Sequence, residues 1–494
     1  MDVKIKWEYF ALGIVFLIAI GIRLYYVHNT SAYSYDAYFS IRQIENIVSK
    51  GVPIYHDSLS YSGRDFFILP FFYYVMAFFR FILSEKMAFL VVPNIIASLA
   101  VIITYLIAHE VTKNRISALF SSALVALAPI YVSSTIIGLN PLSVAVILFL
   151  LCIYFFMKYE ENVIYLWLFL ISFTLLLFTH VISYLLVFGL LIYLLFLKLE
   201  NLKHAQEEIE LILFSFLAAL WVFFILFKKP LLLYGPVVIW ENLPKILVEQ
   251  FYARFDILVS VYQSGVVPFM LGLYAIFLYF FQRKKKRIYL LISLIIAIFS
   301  VTWLGFIQFE FSMIFLSILL IILSAQTVVV FDNYLKKTYF ANLLWLFMSA
   351  LFIIGIAVSG AALNQYVKDE FLNVPGENEI YAIKWLSNTP EESTIAAPLK
   401  FGNIITSIGE RRNIIDSVFL LAPDVNQRYE DVNKLYEKYT SETEAVNIMN
   451  KYEVTHIIYI ENVPDYAKDS NCFKPLLNNS IRIYRLTCTV EEYG

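Results

Sequence analysis

The chain has 494 residues, of which 60% are hydrophobic, 17% aromatic and only 15% charged. A water-soluble protein this apolar lacks the polar surface to cover itself, so composition excludes one and points to a polytopic membrane protein. The formal net charge of −2, with no basic tail and no basic–aromatic patch, gives no reason to expect a nucleic-acid partner.

The first apolar run, 7–26, follows Lys4 and Lys6 in the manner of a signal peptide. It is nearly as long as a full span, however, and no small-residue cleavage site follows it, so we read it as an uncleaved first helix. Further runs of spanning length lie near 88–108, 116–137, 141–158, 163–179, 181–198, 209–228, 264–282, 288–305, 308–325 and 342–362. The fold class expected is therefore a polytopic α-helical membrane protein with about 11–13 transmembrane helices.

A further run, 66–83, is rich in aromatics, carries Pro70 and ends near Arg80. Lys and Arg collect in cytoplasmic loops. The groups Lys4/Lys6, Lys113/Arg115, Lys198/Lys203, 283–287 and Lys336/Lys337 fall on one side only if 66–83 does not cross. It is therefore expected to lie flat in the outer interface. This places the protein in the cell membrane with a cytoplasmic N-terminus and an extracytoplasmic C-terminus, although Lys228 and Lys229 then fall outside. The expected division is a membrane domain, 1–363, with outer loops 28–86 and 229–263, followed by an extracytoplasmic α/β domain, 364–494.

The tail earns that α/β reading because helix patterns (IYAIKWLSN, and the charged run from Arg428 to Asn450) alternate with short apolar strands (STIAAPL, THIIYIE, IRIYRL). Cys152 lies in a span and belongs to the core. Cys472 and Cys488 both fall in the tail, where a disulfide would persist. Asn29-Thr-Ser and Asn478-Asn-Ser match the short N-glycosylation pattern.

Candidate chemistry gathers in the outer loops. Asp36 follows the first span closely, with Arg42 and Glu45 at six and nine residues beyond it. The segment YHDSLSYSGRDFF adds His56, Asp57, Arg64 and Asp65 among tyrosines, a composition suited to sugars and phosphates, since rings stack and Arg binds phosphate bidentately. Glu241, beside Trp240 in PVVIWENLPKI, supplies a second carboxylate from a later loop. Asp36 and Glu241, brought to one membrane face, would share a divalent cation (Mg or Mn) or divide into base and electrostatic roles. His180 in FTHVIS would line a donor groove or cap a helix. Glu310 in an apolar run calls for a partner or water.

The segment from Asp36 to Glu45, DAYFSIRQIE, resembles the Asp-Pro-Tyr-Tyr-x-x-Arg motif that opens the first outer loop of the oligosaccharyltransferase catalytic subunit. That subunit is a membrane glycosyltransferase of the GT-C class, and the archaeal single-subunit forms are the most similar. YVSSTIIGLNPLSVAVILFL, LLLFTHVISYLLVFGLLIYLL, VVIWENL and AIKWLSNTPEESTIAAPLKFGNIITSIGERRNIIDS continue the likeness in order. The resemblance implies a GT-C fold, a polyprenyl-linked sugar donor, membrane lipid around it, and metal ligation by residues at the positions of Asp36 and Glu241, with Arg42 matched by position.

Two departures qualify that expectation. Where the family has an acidic pair, this chain reads Gly-Leu-Asn-Pro-Leu-Ser over 138–143. Where the family has Trp-Trp-Asp-Tyr-Gly, which holds the acceptor's hydroxyl residue, it reads Pro398-Leu-Lys400-Phe401-Gly402. The expected activity is transfer from a polyprenyl-phosphate sugar to an acceptor glycan or protein, and not standard Asn-x-Ser/Thr glycosylation. Asp36 would be the base, Glu241 would orient a metal or hydroxyl, and Arg42 or Arg64 would meet the phosphate. An inactive relative that binds lipid-linked glycan or a partner subunit stays open. A transporter is less expected, because no paired halves with broken helices are visible.

Overall fold

The computed structural model describes residues 7–28, 30, 32–202, 205–252, 256–281, 285–460, 462–468, 470–478 and 481–488. Asn29 and Ser31 of the first glycosylation pattern, Lys4, Lys6 and Lys203, and Arg283 and Lys284 of the largest basic cluster lie outside the described residues. The chain divides into two compact units.

The first unit comprises Met1–Thr30, Leu69–Phe227 and Phe251–Phe371. Every apolar run anticipated as a span is helical here. Among the described residues, seven helices are long and apolar enough to cross a membrane, or up to nine if each of two bent pairs is one span. Leu142–Lys158 and Val163–Leu177 are apolar but shorter, and the aromatic run becomes helix Phe71–Ile82. The protein is a multi-pass membrane protein.

Several polar side chains inside this unit find internal partners, which a bundle without water favours. Arg23, buried in the first helix, donates to Asn94 Oδ1 at 3.3 Å and Thr135 Oγ1 at 2.9 Å, and lies over the Tyr131 ring. Gln326 accepts from the Tyr279 hydroxyl and donates to the Val111 carbonyl. Near the ends of several helices, buried Glu110 gathers Lys113, Lys158 and Arg287. Lys286, next to Arg287 in sequence, bridges Glu160 and Glu208. Residues from three separate basic clusters or helix ends thus meet around one carboxylate.

The second unit comprises Ser31–Ile68, Lys228–Gln250 and Leu372–Gly494. The tail therefore shares its unit with most of both expected outer loops, something a boundary drawn along the chain cannot express. Its sheet has five strands in the order Arg412–Asn413, Thr394–Ala396, Val454–Tyr459, Arg482–Leu486, Phe473–Asn478. The first three run parallel and the last two pairs are antiparallel. Helices Glu377–Trp385, Val425–Lys434 and Glu442–Lys451 supply the α component. Its core joins Ile457, Tyr459, Met449 and Leu435 of the tail to Tyr61 of the first loop and Leu243 and Leu247 of the later one. Cys472 and Cys488 are disulfide-bonded, closing the outer antiparallel strands, while Cys152 is buried and free.

Gly402 is fixed by packing. A Cβ there would fall 2.2 Å from the Ile415 carbonyl oxygen and 2.5 Å from Asp416 Cα, both backbone atoms that cannot swing aside. Gly402→Ala is expected to destabilise the second unit by about 1–3 kcal/mol, as overpacking does. Hydrogen exchange of peptides from 394–418 should show the loss, with first-unit helices unchanged.

Candidate functional site

Asp36 stands immediately before helix Ala37–Lys50, and the residues around that start are tied to the tail. The Tyr35 amide donates to the Asn373 carbonyl at 3.4 Å, and its hydroxyl donates to Glu379 Oε2 at 2.7 Å. The Ser417 hydroxyl donates to Asp36 Oδ1, and Asn403 Nδ2 donates to that hydroxyl at 2.8 Å. Asp36 keeps exposed surface while protein packs closely around its carboxylate. Burial raises its pKa, the Ser417 hydrogen bond lowers it, the charge of Asp416 raises it and Asn403 lowers it; the balance is upward.

Ser417 is placed by its neighbour. Asp416 pairs with Arg64 at 2.9 Å, and both side chains are almost wholly buried. Asp416 also accepts from Ser60 Oγ at 2.6 Å, from Asn413 Nδ2 at 3.2 Å and from the Val418 amide at 3.0 Å. The Arg64 guanidinium donates further to Ser60 Oγ and to the Val418 and Leu420 carbonyls. It lies 4.6 Å from the Tyr61 ring centre and 4.2 Å from that of Phe66.

The segment YHDSLSYSGRDFF thus serves the fold. His56–Asp57 and Arg64–Asp65 form a two-stranded hairpin. Tyr61, Ser62 and Gly63 all turn with positive φ. For buried Tyr61 that left-handed backbone is strained, and the strain is held by its amide on Asn413 Oδ1 at 2.8 Å and its hydroxyl on the Asp416 carbonyl at 2.9 Å. Both arginines expected to meet phosphate already have carboxylate partners here. Arg64 is enclosed, and Arg42 makes a bidentate pair with buried Asp57. His56 hydrogen-bonds Asp65 at 2.8 Å on the surface, where Lys229 joins them.

Glu241 lies in the same unit, on a left-handed turn with Asn242. Buried Asn242 anchors that turn through the Phe419 and Ala422 carbonyls at 3.2 and 3.1 Å. Burial alone raises the Glu241 carboxyl pKa, and among the described residues no donor pairs with it. Asp36 feels the charge of Asp416. Trp240 beside it is half-buried. In the first unit, His180 packs edge-on to Phe311 and tilted against Phe315, and its Nδ1 accepts from the Ile182 amide at 3.2 Å, a capping position.

The metal expectation meets a plain test. Among the described residues no three His, Cys, Asp or Glu side chains converge as a metal group. Asp416, the carboxylate that does approach Asp36, is committed to Arg64. The described residues do not fit a resident divalent cation held by protein ligands.

A family model described as oligosaccharyl transferase STT3, N-terminal, matches residues 10–263, just over half of the 494. The chain belongs to the STT3 family. Its sequence is 34% identical over 122 residues to dolichyl-phosphooligosaccharide-protein glycotransferase 2 of Archaeoglobus fulgidus, a stretch that is 24% of this chain and 19% of that protein. The matched stretch is thus under a fifth of that relative's length. The structure of the Archaeoglobus fulgidus oligosaccharyltransferase in the apo form aligns with a TM-score of 0.72 at 15% identity, over 92% of this chain and 70% of that one. ArnT from Cupriavidus metallidurans, bound to undecaprenyl phosphate, aligns with a TM-score of 0.58 at 10% identity, over 98% of both chains. At those identities the likeness is one of fold, and the fold is GT-C.

Within this STT3-family site, sequence reading missed Ser417, Asn403, Asp416 and Asn413. Only Asn403 carried a signal, since it directly follows Pro398–Gly402, the segment that sequence reading singled out by its resemblance. Arg64→Met strands Asp416 as a buried charge and is expected to destabilise the second unit by about 3–5 kcal/mol. His56→Ala, on an exposed cluster, should leave thermal unfolding unchanged. Equal effects in the two variants would contradict the buried role given to Arg64.

Proposed function

We propose that this STT3-family chain transfers a sugar from a polyprenyl-phosphate-linked donor to a hydroxyl-bearing acceptor, a lipid-linked glycan, polysaccharide or surface protein, on the outer face of the cell membrane. The observation that carries the reading is the Asp36 carboxylate, held by Ser417, open to solvent and raised in pKa. The lipid phosphate bound by the ArnT neighbour and the dolichyl-linked donor in the relative's name support the donor class.

Asp36 accepts the proton of the acceptor hydroxyl as that oxygen bonds to the sugar's anomeric carbon. The anomeric carbon's bond to the phosphate oxygen breaks at the same centre, and the lipid phosphate leaves with the electron pair. No step is routed through a metal, because the described residues do not build its ligand set. Neither Asp57-bound Arg42 nor Asp416-bound Arg64 is assigned to the leaving phosphate. The Pro398–Gly402 segment has no carboxylate to read the hydroxyl of an Asn-x-Ser/Thr acceptor, which argues for a different acceptor.

A second reading is binding of lipid-linked glycan without transfer, in which Glu241, raised by burial, is a binding group and not a catalytic one. The two readings part in one assay. Purified chain in lipid is given a polyprenyl-phosphate sugar and a hydroxyl acceptor. Transfer is expected to fall about 100-fold or more in Asp36→Asn. A base must be ionised, so activity should be full above the raised Asp36 pKa and vanish as pH falls through it, an acid limb above the ordinary carboxylate range near 4. Undiminished transfer by Asp36→Asn removes the proposed base, and no transfer by the wild type favours the binding reading.

A further inference from the structure

Lys400 occupies the position where the acceptor segment carries no acid, and its surroundings hold it in place. Its Nζ lies 5.0 Å from the ring centre of Tyr35 and 5.0 Å from that of Phe401. Those rings meet edge to face at 5.2 Å. Contacts of this kind are worth about 0.5–1 kcal/mol each at exposed sites, enough to narrow the range of a four-carbon stem. Glu379 is the nearest described carboxylate, with Oε1 at 4.0 Å from Nζ, beyond hydrogen-bond length. Its other oxygen is engaged, accepting from the Tyr35 hydroxyl and the Gly376 amide, each at 2.7 Å. Half of the Lys400 side chain is exposed, at 51%. Among the described residues, nothing accepts a hydrogen bond from its ammonium.

The placement ties this ammonium to the candidate base. Tyr35, under one side of Nζ, immediately precedes Asp36. Phe401, under the other, lies two residues before Asn403, which steadies Ser417 on Asp36. The two rings that hold the ammonium thus belong to the chain segments that carry Asp36 and its Ser417 support.

We propose that Lys400 binds an anionic oxygen group, carboxylate or phosphate, on the acceptor, so that this site selects acidic glycans over neutral ones. The inference rests on the transferase reading for its biological use. Its chemistry requires only that an ammonium with three unshared donors, pre-set by two rings, meets a charged acceptor. Charge-assisted hydrogen bonds are about twice as strong as neutral ones, and one such contact corresponds to at least about a tenfold gain in affinity.

The test is equilibrium binding to the full chain in lipid nanodiscs, using three oligosaccharides of equal length: a neutral one, one ending in a uronic acid and one ending in a sugar phosphate. The wild type is expected to bind one or both acidic probes about tenfold more tightly than the neutral one, and whichever is preferred identifies the anion. Lys400→Gln should lose that preference and Lys400→Arg should keep it, with both variants unfolding at the wild-type temperature. Equal binding of all three probes by the wild type overturns the proposal, as does a preference that survives in Lys400→Gln. A purely packing role for Lys400 would weaken all three probes together. Should acidic preference appear while no transfer occurs with any donor, the transferase reading falls and the anion site stands.

Discussion

The second unit depends on the buried pair between Arg64 and Asp416. Taking two charges out of water costs several kcal/mol per ion unless their remaining donors and acceptors are also satisfied. Here the Asp416 carboxylate accepts three hydrogen bonds besides that from Arg64: from Ser60, Asn413 and the Val418 amide. The guanidinium is enclosed by two carbonyls and two rings. Residues 352 apart in sequence are thereby locked together, and everything adjacent to Asp416 inherits its position. Ser417 is one residue on, and through Ser417 so is the orientation of Asp36.

The Gly402 contact acts from the other side. Without a Cβ, the backbone at 402 lies against Ile415 and Asp416, and its carbonyl accepts from Asn413 Nδ2 at 2.9 Å. That close approach brings Asn403 to Ser417. The Pro398–Gly402 segment is thus shaped by packing at Gly402 and Phe401 and carries no carboxylate. It presents an ammonium.

How much of this was legible follows from the range over which each signal acts. Apolar runs report burial locally, so each became a helix, and STIAAPL, THIIYIE and IRIYRL each contain a strand. The disulfide partners were visible because only two cysteines lie in the tail. Arg64, Asp57 and His56 are ambiguous in sequence because a Tyr/Asp/Arg-rich loop has the same composition whether it meets a sugar or folds onto a domain. What distinguishes the two is Asp416 and Asn413, more than 340 positions away, and nothing in the local pattern announces them. Asp36 and Glu241 do share a unit, yet sequence could not reveal that Asp416 would be the charge that Asp36 feels. Ser417 looks like any loop serine until Asp416 fixes it.

The central claim is that the Arg64–Asp416 pair couples the first loop to the tail. A double-mutant cycle of Arg64→Met and Asp416→Leu tests it most directly, with hydrogen exchange of segment 31–68 in the full chain as the readout. The account predicts that each single variant opens the segment and that the double variant recovers much of the loss, a coupling of about 2 kcal/mol or more. Costs that simply add, within about 0.5 kcal/mol, would contradict it.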